Sequence, residues 1–236
     1  RMFISTRLPK FDVRGDEIDA YLLYDNPMIS GFALGVYTVS VRVVCQNTLN
    51  AALRNTIQQI KFSHRQGTKA HLANWLSRVY QNALDTAEAM KEAYSVLAAK
   101  PVKQPQVQWI ANTVYRMPRK PEADDFSRTP FEDRLEEYER DVELIKDARE
   151  LVVDLWNGRG TGMDTPACSG TAFGAYNAVA EVETYRRGKY TSAGYSVIAG
   201  DRARNIRAAF TLAQHIDQYE TATAESLGLS LPTTPF

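Results

Sequence analysis

The chain has 236 residues, 44% apolar and 24% charged, with 28 basic and 28 acidic side chains that cancel at pH 7. That length suits a substantial core, in one large domain or one domain with an appendage. Two cysteines make neither a disulfide framework nor a metal cage, and no stretch approaches the ~18 consecutive apolar residues of a membrane span.

The first residue is Arg1, not Met, so residues upstream are expected; no targeting signal is visible. Residues 2–9 read as a short strand ended by Pro9, and 10–17 as a polar turn around Gly15 and Asp16. Ile18 to Tyr24 reads as a second strand, followed by turn chemistry from Asp25 to Gly31. The third strand runs from Phe32 to about Val44: Val39, Val41 and Val43 point one way, Ser40 and Arg42 the other. Three strands on short links predict an antiparallel meander.

At residue 47 the period changes. Leu49, Ala52, Leu53, Ile57 and Ile60 fall on one helical face, which predicts a helix over 47–62 with Asn47 or Thr48 as its cap. Thr68 caps a long helix to about Ala98, with Leu72, Trp75, Leu76, Val79, Tyr80, Ala83, Ala87 and Met90 as its buried stripe. A short helix carries Val107, Ile110, Val114 and Tyr115 and closes at Pro118. Residues 116–130, rich in proline and charge, read as a mobile loop. Thr129, Pro130 and Glu132 start a charged helix to about Trp156, with Leu135, Tyr138, Val142, Ile145, Ala148, Val152 and Leu155 inward.

Gly158, Gly160 and Gly162 follow. A phosphate-binding loop would come after a strand and carry lysine, so the run reads as a helix end and loop. A helix from Thr171 to about Tyr185, a basic loop, and a last helix from Asp201 to about Tyr219 complete the chain. The tail after Glu225 is expected to be loosely held. The fold class is therefore α+β: a small N-terminal antiparallel sheet of about three strands packed on helices, then a mainly helical part. The division falls at 1–116 and 117–236, within one continuous globular unit.

The zero net charge hides an asymmetry. From Asn26 to Leu84 there is no Asp or Glu, while Arg42, Arg54, Lys61, Arg65, Lys69 and Arg78 all lie there. From Lys120 to Glu150 there are twelve acids and six bases. A long acid-free stretch points to an anionic partner; the plainer account is that the acidic helix neutralises it.

Arg42-Val-Val-Cys45-Gln-Asn47-Thr48-Leu-Asn50-Ala-Ala-Leu53 resembles the hallmark of the phage/plasmid-like family called domain of unknown function 932. Gly170-Thr171-Ala-Phe-Gly-Ala-Tyr176-Asn177-Ala-Val-Ala-Glu181 resembles its second motif, and His64 also fits. After Glu181 this chain has Val-Glu-Thr-Tyr where the family more often has an aromatic and then Asp-His. The resemblance implies a mobile-element origin and a cytoplasmic location, but no catalytic residue. A meander packed on a helix is also similar to the annealing proteins that phages use in recombination.

Three functions follow. The first is an oligomeric single-stranded-DNA binding or annealing protein. Phosphates would meet Arg42, Arg54, Lys61, Arg65 and Lys69, and a second surface would be Arg186, Arg187, Lys189, Arg202, Arg204 and Arg207 among Tyr185, Tyr190 and Tyr195. The second is a self-assembling protein without catalytic activity, held by charge complementarity between the basic half and the acidic helix. The third is an enzyme with Cys45 as nucleophile and His64 as base. No orienting acid lies nearby, and the polar residues at that join serve a helix start equally well. No metal or other cofactor is expected.

Overall fold

The computed structural model describes residues 2–26, 35–42, 48–49, 69–123, 125–185, 200–223 and 226–229, those at 2, 3, 25, 26, 35, 48, 49 and 69–76 by backbone alone. The architecture is α+β. Strands β1 (Met2–Arg7), β2 (Phe11–Val13), β3 (Asp16–Asn26), β4 (Gly35–Arg42) and β5 (Thr48–Leu49) form one sheet in the order β1-β3-β4-β5. All pairs are antiparallel, and β2 also pairs with β3. β1 and β2 lie end to end along one side of β3, with Arg7 opposite Tyr21 and Phe11 opposite Ile18.

Residues 10–17 are thus more than a turn, since they contain β2 and a two-residue hairpin. Arg14 (φ 51) and Gly15 (φ 87) both adopt left-handed backbone, the twist that a two-residue hairpin demands. The Gly15 N–H donates to Asp12 Oδ1 at 2.9 Å, and Arg14 Nη1 donates to the Ala98 carbonyl at 2.6 Å.

A second correction falls at the strand-to-helix join. Thr48 and Leu49 pair back onto β4, with Ser40 opposite Leu49 and Val41 opposite Thr48. Thr48 and Leu49 thus lie in a strand and not in the first turn of a helix. The expected helix over 50–62 lies outside the described residues.

Among the described residues five α-helices follow: α1 (Lys69–Ala99), α2 (Gln104–Val114), α3 (Phe131–Asp154), α4 (Ala172–Tyr185) and α5 (Asp201–Gln214). α1 crosses two apolar cores. Its Val79, Ala83 and Ala87 cover one sheet face with Leu8, Ala20, Leu22 and Val36. Its Met90, Tyr94, Leu97 and Ala98 belong to the larger helical core, built with Val107, Ile110, Ile145, Val152, Val179 and Ile206. Tyr80, expected in the stripe, is 41% exposed, because it sits one residue, about 100° of helix, past Val79.

In α3 only Ile145, Ala148 and Val152 are buried. The helix begins one residue later than the expected Pro130, which occupies the cap position with no side-chain cap bond from Thr129. It ends in a wide turn, Leu155–Arg159, in which Gly158 has φ 105. In the tail, Leu227 and Leu229 pack on the helical core rather than hanging loose. Among the described residues no helix is long and apolar enough to cross a membrane.

Candidate functional site

Arg42 is the last residue of β4, on the face that also carries Ser40. Its side chain is fully buried. Nε donates to Asp16 Oδ2 at 2.6 Å, Nη2 to the Gly162 carbonyl at 3.1 Å and Nη1 to the Thr161 carbonyl at 3.4 Å. Sheet and glycine loop are thus joined by one guanidinium. Burial pushes the Asp16 carboxyl above its usual range, the Arg42 charge and hydrogen bond offset part of this, and Asp12 adds to the rise. Cys168 Sγ lies 4.0 Å from the same Asp16 oxygen.

The second motif surrounds this junction. Thr171 caps α4: its hydroxyl accepts from the Gly174 N–H at 3.1 Å and donates to the Ala167 carbonyl at 2.6 Å. Gly174 allows the helix to touch the loop; a Cβ there would lie 2.0 Å from the Cys168 carbonyl oxygen. Asn177 Nδ2 donates to the Phe173 carbonyl at 2.9 Å and lies 3.8 Å from Cys168 Sγ. Tyr176 packs 5.9 Å from Tyr94 and 5.5 Å from Phe210, ring centre to ring centre, while the Tyr94 and Ser40 hydroxyls meet at 2.9 Å. Glu181 Oε1 accepts from the Thr161 N–H at 3.4 Å. Arg42, Thr171, Asn177 and Glu181 fasten the 158–170 loop to the sheet or to α4, while the Tyr176 and Tyr94 rings join α4 to α1, α5 and β4.

Two residues further, Glu183 is buried and accepts from Asn205 Nδ2 at 2.9 Å, and Arg202 Nη1 donates to the Glu183 carbonyl at 3.3 Å. This ties α4 to α5.

Two expected phosphate contacts are corrected here. Arg42 is buried and committed to Asp16, and Arg202 is 6% exposed and committed to α4. Both lie on element faces turned to the core, which a count of cations along the chain does not register. Of the same second surface, Arg204 is exposed and paired with Asp201, and Arg207 is half-buried, its guanidinium pKa lowered by burial and by Arg204. Lys69 opens α1. Cys45, Asn47, Asn50, Arg54, Lys61, His64, Arg65, Arg186, Arg187 and Lys189 lie outside the described residues, so the Cys45–His64 pairing does too.

Asp16, Cys168, Glu183 and Asn205 were not singled out from the sequence. One signal was available: an arginine inside the run Val39-Ser-Val-Arg42, on a strand face that must be covered, demands a buried acceptor. Chemically the junction is a sealed ion pair with a thiol beside it. Among the described residues no three His, Cys, Asp or Glu side chains are grouped to hold a metal ion.

The apolar sheet face brings together described parts of the acid-free stretch. Val36 of β4 packs with Val79 and Ala83 of α1, and β5 lies along β4. On α1, Ser77, Arg78, Tyr80, Gln81 and Asn82 face outward, and the first acid is Asp85. A family model described as a domain of unknown function (DUF932) matches residues 1–209. No curated protein and no solved structure matches the chain.

Proposed function

The chain belongs to the DUF932 family, and from that premise we propose that it is a single-stranded-nucleic-acid binding or annealing protein of a phage or plasmid, acting as a homo-oligomer in the host cytoplasm. One observation carries this reading: the described parts of the acid-free stretch, β4, β5 and the first half of α1, lie side by side in space. Phosphates repeat along a strand and carboxylates repel them, so cations act best where acids are absent; β4 and the Val79–Ala83 face are buried, and the surface concerned is the outward face of α1. Arg78 is exposed there, and Tyr80 offers a ring on which a base can stack. Arg54, Lys61, Arg65 and Lys69 belong to the same stretch by sequence. Arg42 and Arg202 are withdrawn from the contact set, which lowers the number of phosphates neutralised.

The test is anisotropy of a labelled single-stranded oligonucleotide, titrated with the whole chain at low and at moderate salt. Micromolar binding that weakens steeply with salt is expected. No binding at low salt overturns the reading.

A further inference from the structure

We propose that residues 131–144 of α3 form a docking surface for the acid-free end of a second copy of this chain. The inference takes up the oligomeric part of the reading above and does not need nucleic acid.

None of residues 131–144 is buried; the first buried residue of α3 is Ile145. The helix therefore runs for about 20 Å, at 1.5 Å per residue, before it meets the core. Phe131, Leu135, Tyr138 and Val142 recur at helical spacing along it and are only half-covered. The loop before it presents Phe126 wholly to solvent. Leu144, at the far end of the segment, is exposed as well, and these exposed apolar side chains are what a partner would cover.

Charge identifies the partner. Residues 131–143 hold seven acids and two bases, and one of those bases, Arg134, is engaged by Asp125 and the Glu122 carbonyl. Two such helices laid stripe to stripe would set these acids against each other, so arm-to-arm pairing is disfavoured. The acid-free stretch offers the opposite sign: with Arg42 removed it still carries Arg54, Lys61, Arg65, Lys69 and Arg78. An arm on one copy seated against the basic end of the next is a head-to-tail contact, which closes into a ring or continues as a filament. Exposed charges in such a contact are screened by salt.

The experiment is light scattering of the whole chain, free of nucleic acid, at low and high salt. The expected result is a mass above dimer at low salt that falls towards monomer at high salt. Reversing the exposed acids (Glu132→Lys, Glu136→Lys, Glu139→Lys, Glu143→Lys) is expected to give a monomer at low salt with unchanged circular dichroism. Mixing that chain with one reversed at the basic end (Arg54→Glu, Lys61→Glu, Arg65→Glu, Arg78→Glu) is expected to restore large species. A wild-type monomer at low salt, a mass that rises with salt, or a folded arm-reversed chain that assembles like wild type each overturns the proposal. The wild-type salt response decides even where a variant fails to fold. Nucleic-acid binding is read separately, so either idea can fail alone.

Discussion

Arg42 and Asp16 stand 26 residues apart in the chain, yet Arg42 Nε donates to Asp16 Oδ2 at 2.6 Å with both side chains fully buried. A buried ion pair of this kind rarely adds much over an apolar pair of the same volume, but losing one partner is costly. Arg42→Met is expected to destabilise by about 3–5 kcal/mol, read by urea unfolding, with a smaller deficit at acid pH, where the stranded carboxyl takes up a proton. The double variant Asp16→Leu with Arg42→Met is expected to recover most of the loss. A double variant no better than the single one removes the pair as the cause.

Asp16 also gives a pH signature. Its folded-state pKa is raised, first by burial, against the pull of Arg42. A carboxyl raised in this way favours the fold below its unfolded pKa, and that contribution is lost as pH rises through the folded value. The margin of wild type over Asp16→Asn is therefore expected to shrink as pH rises from about 4. Paired urea melts across that range measure it. A margin that widens would mean that the guanidinium, not burial, governs the carboxyl.

Gly174→Ala tests the contact between α4 and the loop. The new methyl would meet the Cys168 carbonyl oxygen at 2.0 Å; that atom is backbone and accepts from the Thr171 hydroxyl, and the thiol of the same residue is packed between Asp16 and Asn177. Overpacking of this sort costs about 1–3 kcal/mol or more. A fall in Tm with loss of near-ultraviolet dichroism from the Tyr94–Tyr176 stack is expected. An unchanged melt would show that the loop yields freely.

Tyr94 is fully buried at the crossing of sheet and helices, and burial holds its hydroxyl pKa up at about 12 against hydrogen bonds from Ser40 and Tyr176. Ultraviolet titration of Tyr94→Phe against wild type is expected to remove a late-ionising tyrosine. The substitution is expected to cost about 1 kcal/mol, the usual net worth of a buried hydrogen bond.

For nucleic acid, each phosphate contact removed is expected to flatten the plot of log affinity against log salt by about 0.7 on single strands. Arg78→Gln and Lys61→Gln each test this by anisotropy. Arg204→Gln is expected to change the slope less, because Asp201 already pairs with that side chain. Slopes unchanged from wild type for Arg78→Gln and Lys61→Gln would disconnect the acid-free end from binding.

The meander and the long helices were legible because their periods are long and clean. Ile18–Tyr24 is apolar enough to read as a strand, and Val79, Ala83, Ala87 and Met90 hold one helical face through α1. β2 was missed because Phe11-Asp12-Val13 is only three residues between Pro9 and Gly15. β5 was missed because Leu49 also fits the helical series with Leu53 and Ile57, so that partner choice, a tertiary matter, decided between two periods. The second motif was visible as a string of small residues, but not what it does: Thr171, Gly174 and Asn177 act on a carbonyl and a thiol contributed by the loop before them. Arg42 was read as a surface cation because its acceptor lies on another strand.

α1 also behaves as a ruler. Its Val79–Ala87 stretch is matched to the sheet and its Met90–Ala98 stretch to the other described helices. One residue inserted between them would turn everything beyond by about 100° and advance it about 1.5 Å. Tyr94 would then swing away from Ser40, and Leu97 away from its neighbours. A change of length is therefore forbidden in the middle of this rod.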